Sequence, residues 1–276
     1  MCELFAMSSR HPANIRFSLE EFSRHGGLAG PHKDGWGIAW YEDADVRLVK
    51  EPSAASDSAC LDFIQDHPFR STLVMSHIRK ATQGGLTLAN TQPFTRELGG
   101  RMHVFAHNGD LCSARLRSSY SLGAYHPVGD TDSEYAFCAM LEGLSRLWRE
   151  HGQTPPLALR LALVSEFAAG LRSLGPANFL YADGDALFVH GHKRTHADGI
   201  RPPGLHLLCR TCAGESGPFA AEGLHIASSA GAQEVVLAAS VPLTPGEPWR
   251  PLGDGEIVTL RGGRIVSLGN GVDLSQ

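Results

Sequence analysis

Four groups in this chain are of types that can carry or support nucleophilic chemistry: Cys2, Arg79, the pair Asn108-Gly109, and Asp132. Removal of the initiator methionine, expected before a residue as small as cysteine, leaves the Cys2 thiol and a free α-amine on one residue. A cysteine thiol titrates near pH ~8.5 and an α-amine near ~7.7–8.0. The amine therefore keeps a neutral fraction that can take the thiol's proton, directly or through one water. The plainer reading of Cys2 is a small buried hydrophobe.

Each of the other groups also carries two readings. Arg79 ends the apolar run STLVMSHIR; it is either a strand-end arginine reaching solvent or a guanidinium fork that clamps a carboxylate. Asn108-Gly109, in VFAHNGDL, is either a type I′ hairpin turn or a side-chain amide beside a glycine N–H, two donors for an oxyanion. Asp132, in VGDTDSEYAF, follows Thr131 of a Thr131-x-x-Glu134 capping box. It either complements the helix dipole or receives a substrate ammonium while Thr131 still caps. Cys209-x-x-Cys212 offers a redox pair or half a zinc site, but no second pair follows at zinc spacing, so structural thiols are favoured. His190, His192 and His196 are spaced by even numbers near a hairpin, where a polar, solvated hairpin end is the simpler reading than a metal. No metal and no cofactor is expected.

These residues need elements to hold them. Residues 18–25, SLEEFSRH, read as a short helix capped by Ser18 and Glu21, followed by a glycine-rich loop GGLAGPHKDG. From Trp36 the chain alternates as a strand, turns at 43–45 and returns as VRLVKE. Residues 57–66 form a short amphipathic helix, and STLVMSHIR and RMHVFAH are buried strands. The strongest helix runs over 132–150, with Phe137, Leu141, Leu144 and Trp148 in one stripe. A second covers 156–174, opened by prolines and closed before Gly175-Pro176. Beyond it come a hairpin around Asp183-Gly184, the strands HLLCRTC, LHIASSA and EVVLAAS, and a hairpin through Gly262-Gly263. Strands, two helices, then strands predict an α+β fold of layered antiparallel sheets with helices outside.

The bulk composition sets the class. The 276 residues are 42% hydrophobic and 19% charged with a net charge of -5, ordinary for a globular protein and without the basic surplus of a nucleic-acid partner. No run approaches the ~18 apolar residues of a membrane span, and the N-terminus lacks the basic-then-apolar pattern of a secretory signal. A cytoplasmic location is expected, with the six cysteines reduced.

Taken jointly, the segments resemble the class II glutamine amidotransferases, the N-terminal-nucleophile family with a penultimate cysteine. The matching pieces are Cys2; Asp34-Gly35-Trp36-Gly37; His77-x-Arg79 with Ala81-Thr82; Gln92-Pro93-Phe94; His107-Asn108-Gly109; and Thr131-Asp132-Ser133-Glu134. They follow the family's order over roughly the first 150 residues. The opening MCELFAMS and the GPHKDGWG loop look most like the stand-alone YafJ-type branch. The resemblance implies a four-layer αββα sandwich of the N-terminal nucleophile hydrolase type. It implies Cys2 as nucleophile with its own α-amine as base, and Asn108 and Gly109 as oxyanion donors. Substrate binding falls to Arg79 for the α-carboxylate, Asp132 for the α-ammonium, and Thr82.

The chain also departs from the family pattern. Lys80 stands where many members carry an aromatic, Gln83 where some carry histidine, and His32-Lys33 replaces an arginine-containing loop, which leaves substrate preference open. No phosphate loop or second catalytic cluster follows residue 150, so one amidotransferase domain over 2–276 without a synthase domain is expected. The implied activity is cleavage of the γ-amide of glutamine or a γ-glutamyl compound. Two alternatives stand beside it: a glutaminase subunit feeding ammonia to a separate synthase, and a non-catalytic domain of this fold that senses a glutamate-like ligand.

Overall fold

The computed structural model describes residues 2–17, 33–67, 69–212, 219–221, 224–227, 232–268 and 272–273. The helix expected over 18–25 and most of the glycine-rich loop lie outside them. The first half contains β1 (Glu3–Phe17), β2 (Trp36–Glu42), β3 (Asp45–Glu51), helix α1 (Ala59–Asp66), β4 (Phe69–Ile78), β5 (Phe94–Leu98) and β6 (Arg101–Gly109). Three helices follow: α2 (Ser113–Ser119), α3 (Asp132–His151) and α4 (Leu157–Arg172). The second half holds β7 (Ala177–Ala182), β8 (Leu187–His190), β9 (Arg194–His196), β10 (Gly199–Arg201), β11 (His206–Cys212), β12 (Phe219–Ala221) and β13 (Leu224–Ala227). It closes with β14 (Gln233–Ala239), β15 (Arg250–Pro251), β16 (Ile257–Arg261), β17 (Arg264–Leu268) and β18 (Val272–Asp273).

Two large antiparallel sheets result, with β9 and β10 pairing as a separate two-stranded ribbon. The first runs β15-β11-β14-β1-β4-β2-β3, and the second runs β18-β17-β16-β8-β7-β6-β5. Their facing sides interdigitate: Leu4, Ala39 and Met75 of the first pack with Val104, Leu180 and Val258 of the second. On its outer side the second sheet carries Phe105, Phe179 and Tyr181 against the Phe137-Leu141-Leu144-Trp148 stripe of α3 and Val164 and Leu171 of α4. The outer side of the first sheet sets Trp36 and Trp40 against Leu61 and Ile64 of α1 and against Trp249. The layers are therefore αββα. Strands in such inner layers are covered on both faces, which is why β2, β4 and β6 read as nearly unbroken apolar runs.

The α3 boundaries follow from local chemistry. Thr131 caps it by accepting the Glu134 N–H at 3.2 Å, and Gly152 closes it in the left-handed region at φ 64°. Only half of the expected capping box forms. The Glu134 carboxylate turns to Arg96 (2.5 Å) and to the Gly129 N–H (2.7 Å), pinning the loop before the helix. Helix α4 is fastened by Arg160, 2% exposed in its side chain, which pairs with Asp183 and Asp185 of the β7–β8 turn at 2.6 Å each.

Several elements went unread in the sequence, β1 and α2 among them. β1, the longest described strand, carries Ser8, Ser9, Arg10, His11 and Pro12 in its middle, and its register against β4 shifts between Ser8 and Ala13. That bulge breaks the two-residue period and hides the strand. Helix α2 is too short, at seven residues, to show a 3.6-residue stripe.

Candidate active site

The site forms where the start of β1 meets the ends of β4 and β6. β1 lies between β4 and β14, with Glu3 opposite Ile78 and Leu4 opposite His77. The residue before β1 therefore falls beside the residues after β4. The Lys80 N–H donates to Cys2 Sγ at 3.2 Å, and the thiol lies 3.3 Å from the Lys80 carbonyl. Burial pushes the Cys2 thiol up; the Lys80 N–H, the chain-terminal ammonium and the Arg79 charge work against that rise.

Asn108 and Gly109 close β6 rather than turning a hairpin: they pair with Asn178 and Ala177 of β7. The I′-turn reading is excluded, because the chain continues through Asp110 toward α2. The Asn108 carboxamide crosses from the second sheet to the first and donates to the Cys2 carbonyl. Its own carbonyl accepts from Asn178 Nδ2 at 3.1 Å, so the residue is fixed at both ends. Gly109 is dictated by packing, since a Cβ there would sit 1.8 Å from the Pro176 carbonyl oxygen. Just before it, Gln92 reads the His107 main chain with both ends of its amide, accepting the N–H at 2.6 Å and donating to the carbonyl at 3.1 Å.

Arg79 is only 3% exposed, so the solvent-reaching reading fails. Its guanidinium donates to the carbonyls of Gly85 (3.0 Å), Gln83 (3.0 Å) and Gly84 (3.3 Å). Among the described residues it forms no ion pair with a carboxylate, which leaves a buried positive charge suited to an anionic ligand. Gln83 ties the same loop across the site, donating to Asp110 Oδ1 at 2.5 Å and accepting from Ser113 Oγ at 2.8 Å.

Asp132 opens α3 and is buried. Its Oδ2 accepts the Leu111 N–H at 2.7 Å and its Oδ1 the Ser133 N–H at 2.8 Å. Both the helix-start and ligand-facing readings of this carboxylate remain compatible with these bonds. Ser133 Oγ lies 2.9 Å from His107 Nδ1. Burial holds His107 below the usual imidazole range against the pull of the Asp132 charge, so it is neutral at pH 7. Thr82 is exposed on the loop after Arg79 and does not join this network.

The structure thus gathers Cys2, Arg79, Asn108, Gly109 and Asp132 onto adjoining strand ends and loops. It adds residues that no motif announced: Asn178, Ser240 and Arg194. Their partners in the site lie 46 to 236 positions away in sequence, so no local pattern could reveal them. The remaining sequence candidates lie elsewhere. His190 and His192 bond to the main chain of Ala177, at 2.7 and 3.2 Å, and among the described residues no cluster suited to a metal forms. Cys209 is a free thiol, and the side chain of Cys212 falls outside the described residues.

Two antiparallel sheets between helical layers, with the second residue of the chain at their junction, define the architecture of the N-terminal nucleophile hydrolases. The comparisons with known proteins agree. The family model for class-II glutamine amidotransferases matches residues 1–274. YafJ of Escherichia coli (strain K12) is 37% identical over 265 residues, covering 93% of this chain and 96% of that protein. A solved structure from Pseudomonas aeruginosa PA01, described as a predicted glutamine amidotransferase, superposes with a TM-score of 0.69 at 34% identity, covering 96% and 100% of the two chains. The glutamine phosphoribosylpyrophosphate amidotransferase of B. subtilis shares the fold at 16% identity, with a TM-score of 0.56 over 96% of this chain and 48% of that one. The chain belongs to the class II glutamine amidotransferases, enzymes that hydrolyse glutamine's amide or transfer its nitrogen. Among the described residues no helix is long and apolar enough to cross a membrane.

Proposed function

We propose that the protein is an amidohydrolase that cleaves the γ-amide of glutamine or of a γ-glutamyl compound through a thioester on Cys2. The observation that carries this reading is that Cys2 takes the Asn108 carboxamide on its carbonyl while its thiol sits at Lys80, next to buried Arg79, which pairs with no carboxylate among the described residues. Once methionine is removed, the α-amine of Cys2 takes the thiol proton and the sulfur attacks the γ-carbonyl carbon. The oxyanion of the tetrahedral intermediate accepts hydrogen bonds from Asn108 Nδ2 and the Gly109 N–H, where loss of one such donor typically costs about 2.7–4 kcal/mol. The ammonium of Cys2 returns its proton to the departing nitrogen as the C–N bond breaks. Water then adds to the thioester and expels the sulfur, giving glutamate. Arg79 holds the α-carboxylate and Asp132 the α-ammonium; Thr82 reaches the substrate only if its loop closes.

In this reading the chain is one amidotransferase domain working by hydrolysis. Delivery of ammonia to a separate synthase is the second version, told apart by whether a partner stimulates turnover. The test is intact mass before and after incubation with a diazo-ketone glutamine analogue. Loss of Met1 and one adduct mapped to Cys2 are the expected result. A processed chain that takes no adduct and hydrolyses neither glutamine nor γ-glutamyl amides overturns the proposal.

A further inference from the structure

Ser240 follows β14 and continues its ladder onto β1. Its N–H donates to the Leu4 carbonyl at 3.0 Å, and its Oγ accepts the Leu4 N–H at 3.0 Å. The same oxygen lies 3.5 Å from Asn108 Nδ2. Its carbonyl accepts from Arg194 Nη1 at 2.7 Å. Arg194 lies on β9, between the second sheet and the return to the first, and is only 9% exposed; Ser240 is 1% exposed. Burying a guanidinium is costly unless something holds it. What holds this one is a neutral carbonyl, with the Glu3 carboxylate nearby working against the cost of its burial.

The Asn108 amide has two N–H groups. One is engaged by the Cys2 carbonyl. Nδ2 also lies 3.5 Å from Ser240 Oγ, a long contact that packs the hydroxyl against the amide without a strong hydrogen bond. Ser240 thus touches both halves of the site, the start of the nucleophile's strand and the donor amide. Arg194 fixes the peptide unit on which Ser240 sits.

We propose that Ser240, anchored by Arg194, is the positioning residue that sets the Asn108 carboxamide against Cys2, and that Arg194 acts through it. This rests on Asn108 serving as the oxyanion donor. The site then depends on a third strand end, from beyond residue 190, that none of the recognisable motifs contains.

The test is a double-mutant cycle read in kcat and KM for L-glutamine hydrolysis. Asn108→Ala should lower kcat by about 100-fold or more. Arg194→Met should lower kcat roughly ten-fold with KM within about two-fold, because a misplaced donor weakens the transition state and leaves ground-state binding alone. Arg194→Lys, which can still donate to the Ser240 carbonyl, should recover most of the loss. Combined with Asn108→Ala, Arg194→Met should cost nothing further, since the group it positions is gone. Equal fold losses in both backgrounds, or a rise in KM at unchanged kcat, overturn the inference. Ser240→Ala, a minimal change, runs the same cycle if Arg194→Met does not fold. An Asn108→Ala variant at wild-type rate, or a processed wild type without amidase activity, instead sinks the oxyanion assignment beneath it.

Discussion

At the scale of single residues, the site separates into groups that react and groups that hold. Cys2→Ala should abolish amidase activity at unchanged melting temperature, and a variant as active as wild type removes Cys2 from the mechanism. Arg79 and Asp132 touch only the amino-acid end of the substrate in this reading. Arg79→Ala and Asp132→Asn should each raise KM for glutamine by about 10- to 100-fold, the ~1.5–3 kcal/mol of a charge-assisted hydrogen bond, with kcat changed less. Steady-state kinetics decide it: a collapse of kcat with KM intact would place these residues at the reacting atoms. Much of this was legible. Cys2, His77-x-Arg79 and His107-Asn108-Gly109 are short patterns whose chemistry can be named from side-chain types, although only the family resemblance joined them into one site. Ser240 and Arg194 were not legible, because a serine after a strand and an arginine near a hairpin are ordinary until their partners are seen.

Elements carry the next level of argument. α3 could be read almost to the residue, since Thr131 and the Phe137-Leu141-Leu144-Trp148 stripe each state a local requirement of a helix. β1 could not, since a bulge around His11 and Pro12 erases its period. Fastening between elements was equally hidden: Arg160 reads as one more helix-surface arginine, yet it is buried against Asp183. Arg160→Ala leaves that carboxylate uncompensated in the interior and should destabilise the protein by about 3–5 kcal/mol. Urea denaturation measures this, and because the pair lies away from Cys2, kcat of the folded fraction should not move. Gly109→Ala makes a sharper demand. Its Cβ must displace the Pro176 carbonyl, so β6 and β7 part at the proposed oxyanion donor and activity should fall at least as far as in Asn108→Ala. A well-folded, fully active Gly109→Ala protein would show that the strand ends are looser than their packing implies.

Over the whole molecule, the layered α+β class was readable from the order of strands and helices, while the pairing of distant strands was not, because register between β1 and β14 is a contact across more than 220 residues. The two-sheet interior also sets the response to acid. Burial pushes His190 down to about 3 and His103 to about 4, from an ordinary value of 6.5. Both are neutral when folded, so the unfolded chain takes up protons that the native state refuses as pH falls below 6.5. Stability held at pH 7 is lost progressively from 6.5 toward 4 and 3, and at pH 5 each histidine costs about 2 kcal/mol. Urea midpoints at pH 7.5 and 5.0 should show the drop, and His190→Gln should flatten it; equal midpoints in the wild type would contradict it. The place of β1 between β4 and β14 has a consequence for the order of events during synthesis. Cys2 leaves the ribosome more than 200 residues ahead of β14 and Ser240. Methionine removal, which the proposed mechanism requires, can therefore act on a loose tether before the pocket closes over the thiol. A polypeptide that stops short of residue 233 keeps Asn108 and Gly109 but lacks β14 and Ser240, so the start of the nucleophile's strand is flanked by β4 on one side and open on the other.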